Sequence, residues 1–230
     1  KLWDWKSKLK RLVVNHPLMY ADLDFPLTRD HVRNIPAPIL LGAVRSWLER
    51  ANPICLMHPH GFYVVLLSRN DTEEWRFHFW PKESRAITGM PAYIHTHDRQ
   101  VDSRVLQGQL TNILYDVNTV SVGGHPLYQV SYHGDRYAAM TTNILRNTHR
   151  RAQTLIRSHH TIKCGDTYQI ERHCYHESVV SQQLATSTIV CMHERSPGAI
   201  MVVGLDGYPE TITFTRTEQC ARTLAEQISL

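Results

Sequence analysis

The spacing of apolar residues changes character near residue 52. Before that point the pattern is helical. Trp3, Leu9, Leu12 and Val13 recur at helical intervals among lysines until Asn15-His16-Pro17 breaks the run. Thr28-Arg-Asp-His-Val-Arg opens a helical turn, and Pro36 and Pro38 interrupt it. Ile39, Leu40, Ala43, Val44, Trp47 and Leu48 then line one face of a helix reaching residue 50. After residue 52 the texture is that of strands. Residues 62–67 form a β-rich run closed by Asn70-Asp71, and residues 75–80 alternate with period two up to Pro81. Further strands are predicted over 93–97, 110–117, 128–133, 153–163, 168–170, 187–193, 199–203 and 211–214. Gly108, Gly123-Gly124, Gly134-Asp135 and Gly165-Asp166 mark turns between them. Short strands at roughly 8–12-residue spacing predict a sandwich or barrel. Ala221, Leu224, Ala225 and Ile228 mark a closing amphipathic helix within 217–228. The predicted plan is one domain, mainly β. It has a helical N-terminal extension (1–50), a β-barrel (51–215) and a C-terminal helix (216–230).

Composition narrows the classes. The 230 residues carry 25 Lys+Arg against 21 Asp+Glu, a net charge of +4, with 42% hydrophobic and 20% charged residues. That balance is globular. No like-charged block suggests a nucleic-acid arm, so no nucleic-acid partner is expected. No apolar run reaches the roughly 18 residues of a membrane-spanning helix, so no membrane partner is expected either. The opening Lys-Leu-Trp-Asp-Trp-Lys lacks the pattern of a signal peptide. Five scattered cysteines without a Cys-x-x-Cys pair predict free thiols and a cytoplasmic, reducing compartment.

The 15 histidines are dispersed, so their spacing matters more than their number. In a strand, residues i and i+2 share a face, so His95 and His97 project side by side and can grip one metal ion. A third ligand must come from elsewhere, and the stretch from Gly165-Asp166 to His176-Glu177 is the best candidate. His58 and His60 repeat the spacing, but Pro59 spoils a central strand, which suits them better to substrate contact. His78 alternates with Phe77 and Phe79 and either faces a cavity or is a hydrogen-bonded core or surface histidine. Imidazole ligands alone admit Fe, Zn, Cu or Ni.

Two segments resemble the two motifs of the cupin superfamily. The first is His95, His97, Asp102 and Gly108; the second runs from Gly165-Asp166 to His176. The stretch Cys191-Met-His193-Glu-Arg195-Ser-Pro197 further resembles the cysteine-dioxygenase branch, with Arg195 where that branch has Tyr. The resemblance implies a double-stranded β-barrel of the jelly-roll type holding a metal on His95, His97 and His176. Asp102 is a possible fourth ligand, but it is a methylene shorter than the Glu of many cupins, which favours a three-His site. The implied activity is a mononuclear non-haem Fe(II) dioxygenase acting with O2 on a small polar substrate, a thiol or amino-acid derivative. Arg195 or Arg104 would neutralise a carboxylate, with Arg76 as a further candidate. His193 would orient the ligands. The alternatives are a non-redox isomerase, lyase or hydrolase using Zn, Mn or Ni, and a non-catalytic ligand-binding barrel. Cupins also pair through their sheets, which implies a possible homodimer.

Overall fold

The computed structural model describes Leu23, residues 27–83, Arg85, Ile87 and residues 90–229. The helical pattern of Trp3 to Val13 lies outside the described residues. The described residues form three helices: α1 (Arg29–Asn34), α2 (Ala37–Ala51) and α3 (Ala221–Gln227). Thr28 caps α1, its side chain accepting from the His31 N–H at 3.2 Å. Proline at the start of α2 is tolerated because the first turn has no carbonyl to bond. Asn52, left-handed at φ 44°, ends it.

The strands in chain order are β1 (Cys55–Met57), β2 (Tyr63–Arg69), β3 (Glu73–Trp80), β4 (Gln100–Gln107), β5 (Gln109–Val120) and β6 (His125–His133). Then come β7 (Thr142–Lys163), β8 (Thr167–Ile170), β9 (Tyr175–Val179), β10 (Thr186–His193), β11 (Ile200–Val203), β12 (Thr211–Thr215) and β13 (Glu218–Gln219). Among the described residues they make two antiparallel sheets. One has the order β13-β1-β2-β3-β10-β4-β8 and the other β11-β6-β7-β5-β9, with β12 on the flank of β7. The mainly β expectation and the C-terminal helix are found. The β part is two antiparallel sheets and not a closed barrel.

Two boundaries also change. The C-terminal helix begins at Ala221, because Glu218 and Gln219 pair with Leu56 and Cys55 of β1. The segment 29–51 is no appendage: Leu40, Val44, Trp47 and Leu48 of α2 share one core with Leu224 and Ala225 of α3 and with Phe77, Ile189 and Cys191 of the sheet. Ile39, assigned to the apolar face by spacing, is 47% exposed.

Strand β10 explains how the sheet is filled on both sides. All eight of its residues are buried. Ile189 and Cys191 enter the helix-side core, whereas Val190 and Met192 turn to the other face with Val101 and Ile170. This second face looks into the space between the sheets, and the candidate site lies there.

Candidate metal centre

The segment joining β3 to β4 passes between β9 and β11. It builds no ladder but makes single bridges at His95, to His176 on one side and Val202 on the other. His95 and His176 exchange both backbone hydrogen bonds, each at 3.0 Å. Residues opposed in this way carry their side chains on one face. His97, two residues on, follows His95. The ring centroids stand 4.9 Å apart for His95–His97, 4.5 Å for His95–His176 and 5.0 Å for His97–His176. One nitrogen from each ring lies within 4.8 Å of the others.

The donor set fits a divalent metal. His95 Nδ1–H donates to the Tyr93 carbonyl at 2.7 Å, and His176 Nδ1–H to the Cys174 carbonyl at 3.2 Å. Those bonds leave each Nε2 with its lone pair free for a ligand bond. Burial depresses the pKa of all three imidazoles, those of His97 and His176 well below 6.5, where neighbouring imidazoles add to the effect. They are therefore neutral, the form that binds a metal.

The three rings open on a cavity of about 350 Å³ between the sheets. Two period-two runs supply much of its wall: His58, His60 and Phe62 before β2, and Arg76, His78 and Trp80 on β3. His58 stacks on Phe62 at 4.3 Å, and Phe62 on Trp80 at 4.6 Å. Burial holds His60 down to about 3 and keeps His58 and His78 well below 6.5. Behind the wall lies Glu74, fully buried. Its Oε1 accepts from Arg76 Nε at 2.7 Å, from Arg76 Nη2 and from the Tyr137 hydroxyl. Its Oε2 accepts from Arg136 at 3.0 Å. Glu74 was not singled out from sequence. The alternation Glu74-x-Arg76-x-His78-x-Trp80 was the signal that could have found it, since all four share one face.

Four residues expected at the site lie elsewhere. Val101 faces the cavity, so its neighbour Asp102 faces the helix side. There its Oδ2 accepts from His193 Nε2 at 3.0 Å and its Oδ1 from Gln169 at 2.7 Å. Asp102 is thus outside the ligand group, and His193 orients Asp102 rather than the three imidazoles. Arg104 donates to the Val32, Ile35 and Gly165 carbonyls, tying α1 to the sheet. Arg195, 72% exposed, pairs with Asp98 at 2.9 Å. None of the four lines the cavity.

A mainly β protein with a buried three-histidine group facing a cavity is the class that fold and geometry define. No family model matches the chain, and no curated protein matches it. Among the described residues, no helix is long and apolar enough to cross a membrane.

Proposed function

We propose that this protein is a mononuclear metalloenzyme of cupin type, and that its reaction is an iron(II)-dependent oxygenation of a small organic anion. The observation that carries this is the group His95, His97 and His176: three neutral imidazoles, no carboxylate among them, opening on a cavity between the sheets. A structural zinc site closes with four ligands, whereas a three-ligand site keeps positions for chemistry. The two cupin-like motifs and the His193-Glu-Arg-Ser-Pro stretch favour iron over the other metals that imidazole accepts. Iron(II) bound there supplies the activation of O2.

The chain's own groups do the rest. His95 and His176 hold their tautomers through backbone carbonyls, so the donor atoms are oriented before any metal arrives. Arg76 brings a buried positive charge to the cavity wall. The neutral imidazoles of His58, His60 and His78 offer hydrogen bonds without adding charge.

The test is elemental analysis of protein reconstituted anaerobically with Fe(II), wild type beside His97→Ala. The expected result is near-stoichiometric iron in the wild type, loss of it in the variant, and substrate-dependent O2 uptake only in the wild type. No metal in either protein after reconstitution sinks the proposal. Zinc, manganese or nickel held by the same ligands, with no O2 uptake, moves the assignment to a non-redox lyase, isomerase or hydrolase.

A further inference from the structure

Resting on the reading of this cavity as a substrate site, we infer that its substrate is a ring-bearing carboxylate, an aromatic acid whose ring lies along the Phe62–Trp80 wall and whose anionic group pairs with Arg76.

Charge carries the first half. Among the described residues that line the cavity, Arg76 and Arg85 are cations and Glu177 is the one carboxylate. Glu177 already accepts from the Tyr115 hydroxyl. Arg85 is satisfied by backbone carbonyls of Pro81, Val180 and Ser181 and meets no acid there. Behind Arg76 the imbalance is larger. Glu74 faces Arg76, Arg136 at 3.0 Å and Arg99 at 3.6 Å. Arg216, 4% exposed, adjoins them by donating to the Arg136 carbonyl at 3.3 Å. The Nε atoms of Arg99 and Arg216 are buried with no hydrogen-bond partner. Of the nearby acids, Asp135 pairs with Arg69, and Asp98 pairs with Arg195 through Oδ2 while its charge also acts on Arg99. The buried Arg76 and Arg216 and the part-buried Arg99 and Arg136 outnumber the acids Glu74 and Asp98 among them, and buried charge is costly without a counter-charge. A ligand anion at Arg76 supplies it.

Shape carries the second half. His58, Phe62 and Trp80 form a stacked run, with His78 edge-on to Trp80 at 5.9 Å. Val101, Ile170, Val190 and Met192 line the same cavity. Such walls take an apolar ring, through offset or edge-to-face contact.

Calorimetric titration of the full chain, as purified and after chelation, tests this with four probes: benzoate, benzamide, benzylamine and acetate. Benzoate is expected to bind both forms. Benzamide, benzylamine and acetate are expected to bind at least about tenfold more weakly, for want of the charge, its sign or the ring. Arg76→Gln should weaken benzoate by a similar factor. Because Arg76 also satisfies Glu74, circular dichroism must accompany that variant. Phe62→Leu leaves the Glu74 cluster intact and should weaken benzoate without changing acetate. Equal affinity for benzamide or for acetate, or no benzoate binding to either form, overturns the inference. Benzoate binding with no metal uptake removes the metalloenzyme reading alone; metal uptake without benzoate binding removes this inference alone.

Discussion

At Glu74 a carboxylate with no solvent exposure stays ionised. Burial would raise its pKa, but the charges of Arg76 and Arg136 and the Tyr137 hydroxyl hold it at about 2. A carboxyl depressed from 4.5 stabilises the fold fully above that value and loses the contribution as pH falls through about 2. Replacing it by Gln keeps its shape but leaves the buried Arg76 and the part-buried Arg99 and Arg136 without their counter-charge. Glu74→Gln is therefore expected to lose about 3–5 kcal/mol, read from urea unfolding; a loss below about 1 kcal/mol would mean the arginines find solvent instead. In the sequence only the longer alternation Glu74-x-Arg76-x-His78-x-Trp80 points to this residue, since Glu-x-Arg alone looks the same on a surface as in a core. His95 and His97 were readable, because their pairing needs only a local extended backbone. Asp102 was assigned by motif spacing when alternation already separated it from Val101. The Val101-x-Ser103-x-Val105 stripe goes inward, and the stripe bearing Asp102 and Arg104 goes to the helix side. Motif spacing gives sequence distance, and only strand parity gives the face.

At the scale of elements, the chain must cross from one sheet to the other between β4 and β5, and Gly108 makes that crossing with φ +70°. A Cβ there would sit 2.5 Å from both the Ala185 carbonyl oxygen and Thr186 Oγ1. Gly165 lies in the turn between β7 and β8 with φ +94°, but a Cβ there would meet nothing within 4 Å. Both positions favour glycine by conformation, at about 1–2 kcal/mol. Gly108 adds the collision with β10. Gly108→Ala should therefore lower the urea midpoint clearly more than Gly165→Ala; equal losses would remove close approach as the reason for Gly108. Both turns were readable from sequence, and so were most strands. Strand β7 was not: the pattern starts it near residue 153, yet it begins at Thr142. The obscuring feature is local. His149 has φ 57°, and β6 shifts register between Pro126 and Tyr128 opposite it, so alternation lapses where the strand bends. The short strand before α3 is hidden in the sequence for a different reason. Glu218 and Gln219 continue the helical pattern of the residues after them, and only pairing with β1, far away in sequence, draws them into a strand.

For the whole molecule, the cost of the histidine-lined cavity falls at acid pH. His58, His60 and His78 have pKa values pushed down by burial, His60 to about 3, from an ordinary 6.5. Between those two values the unfolded chain binds protons that the folded chain refuses. Stability therefore rises with pH across that window and is lost as pH falls below 6.5. Each such group contributes up to about 1.4 kcal/mol per pH unit, so these three together give about 4, and Glu74 adds its own loss only below 4.5. His78 isolates one share of this slope. Its Nε2 is buried without a hydrogen-bond partner, so Phe in its place forfeits no bond at that atom while removing the titration. Urea unfolding of wild type and His78→Phe at pH 7.5, 6.5 and 5.5 should show the variant losing stability more slowly below 6.5, by about 1.4 kcal/mol per pH unit. An unchanged slope would mean that His78 takes up its proton in the folded state, and that the cavity admits water and charge more freely than its walls suggest.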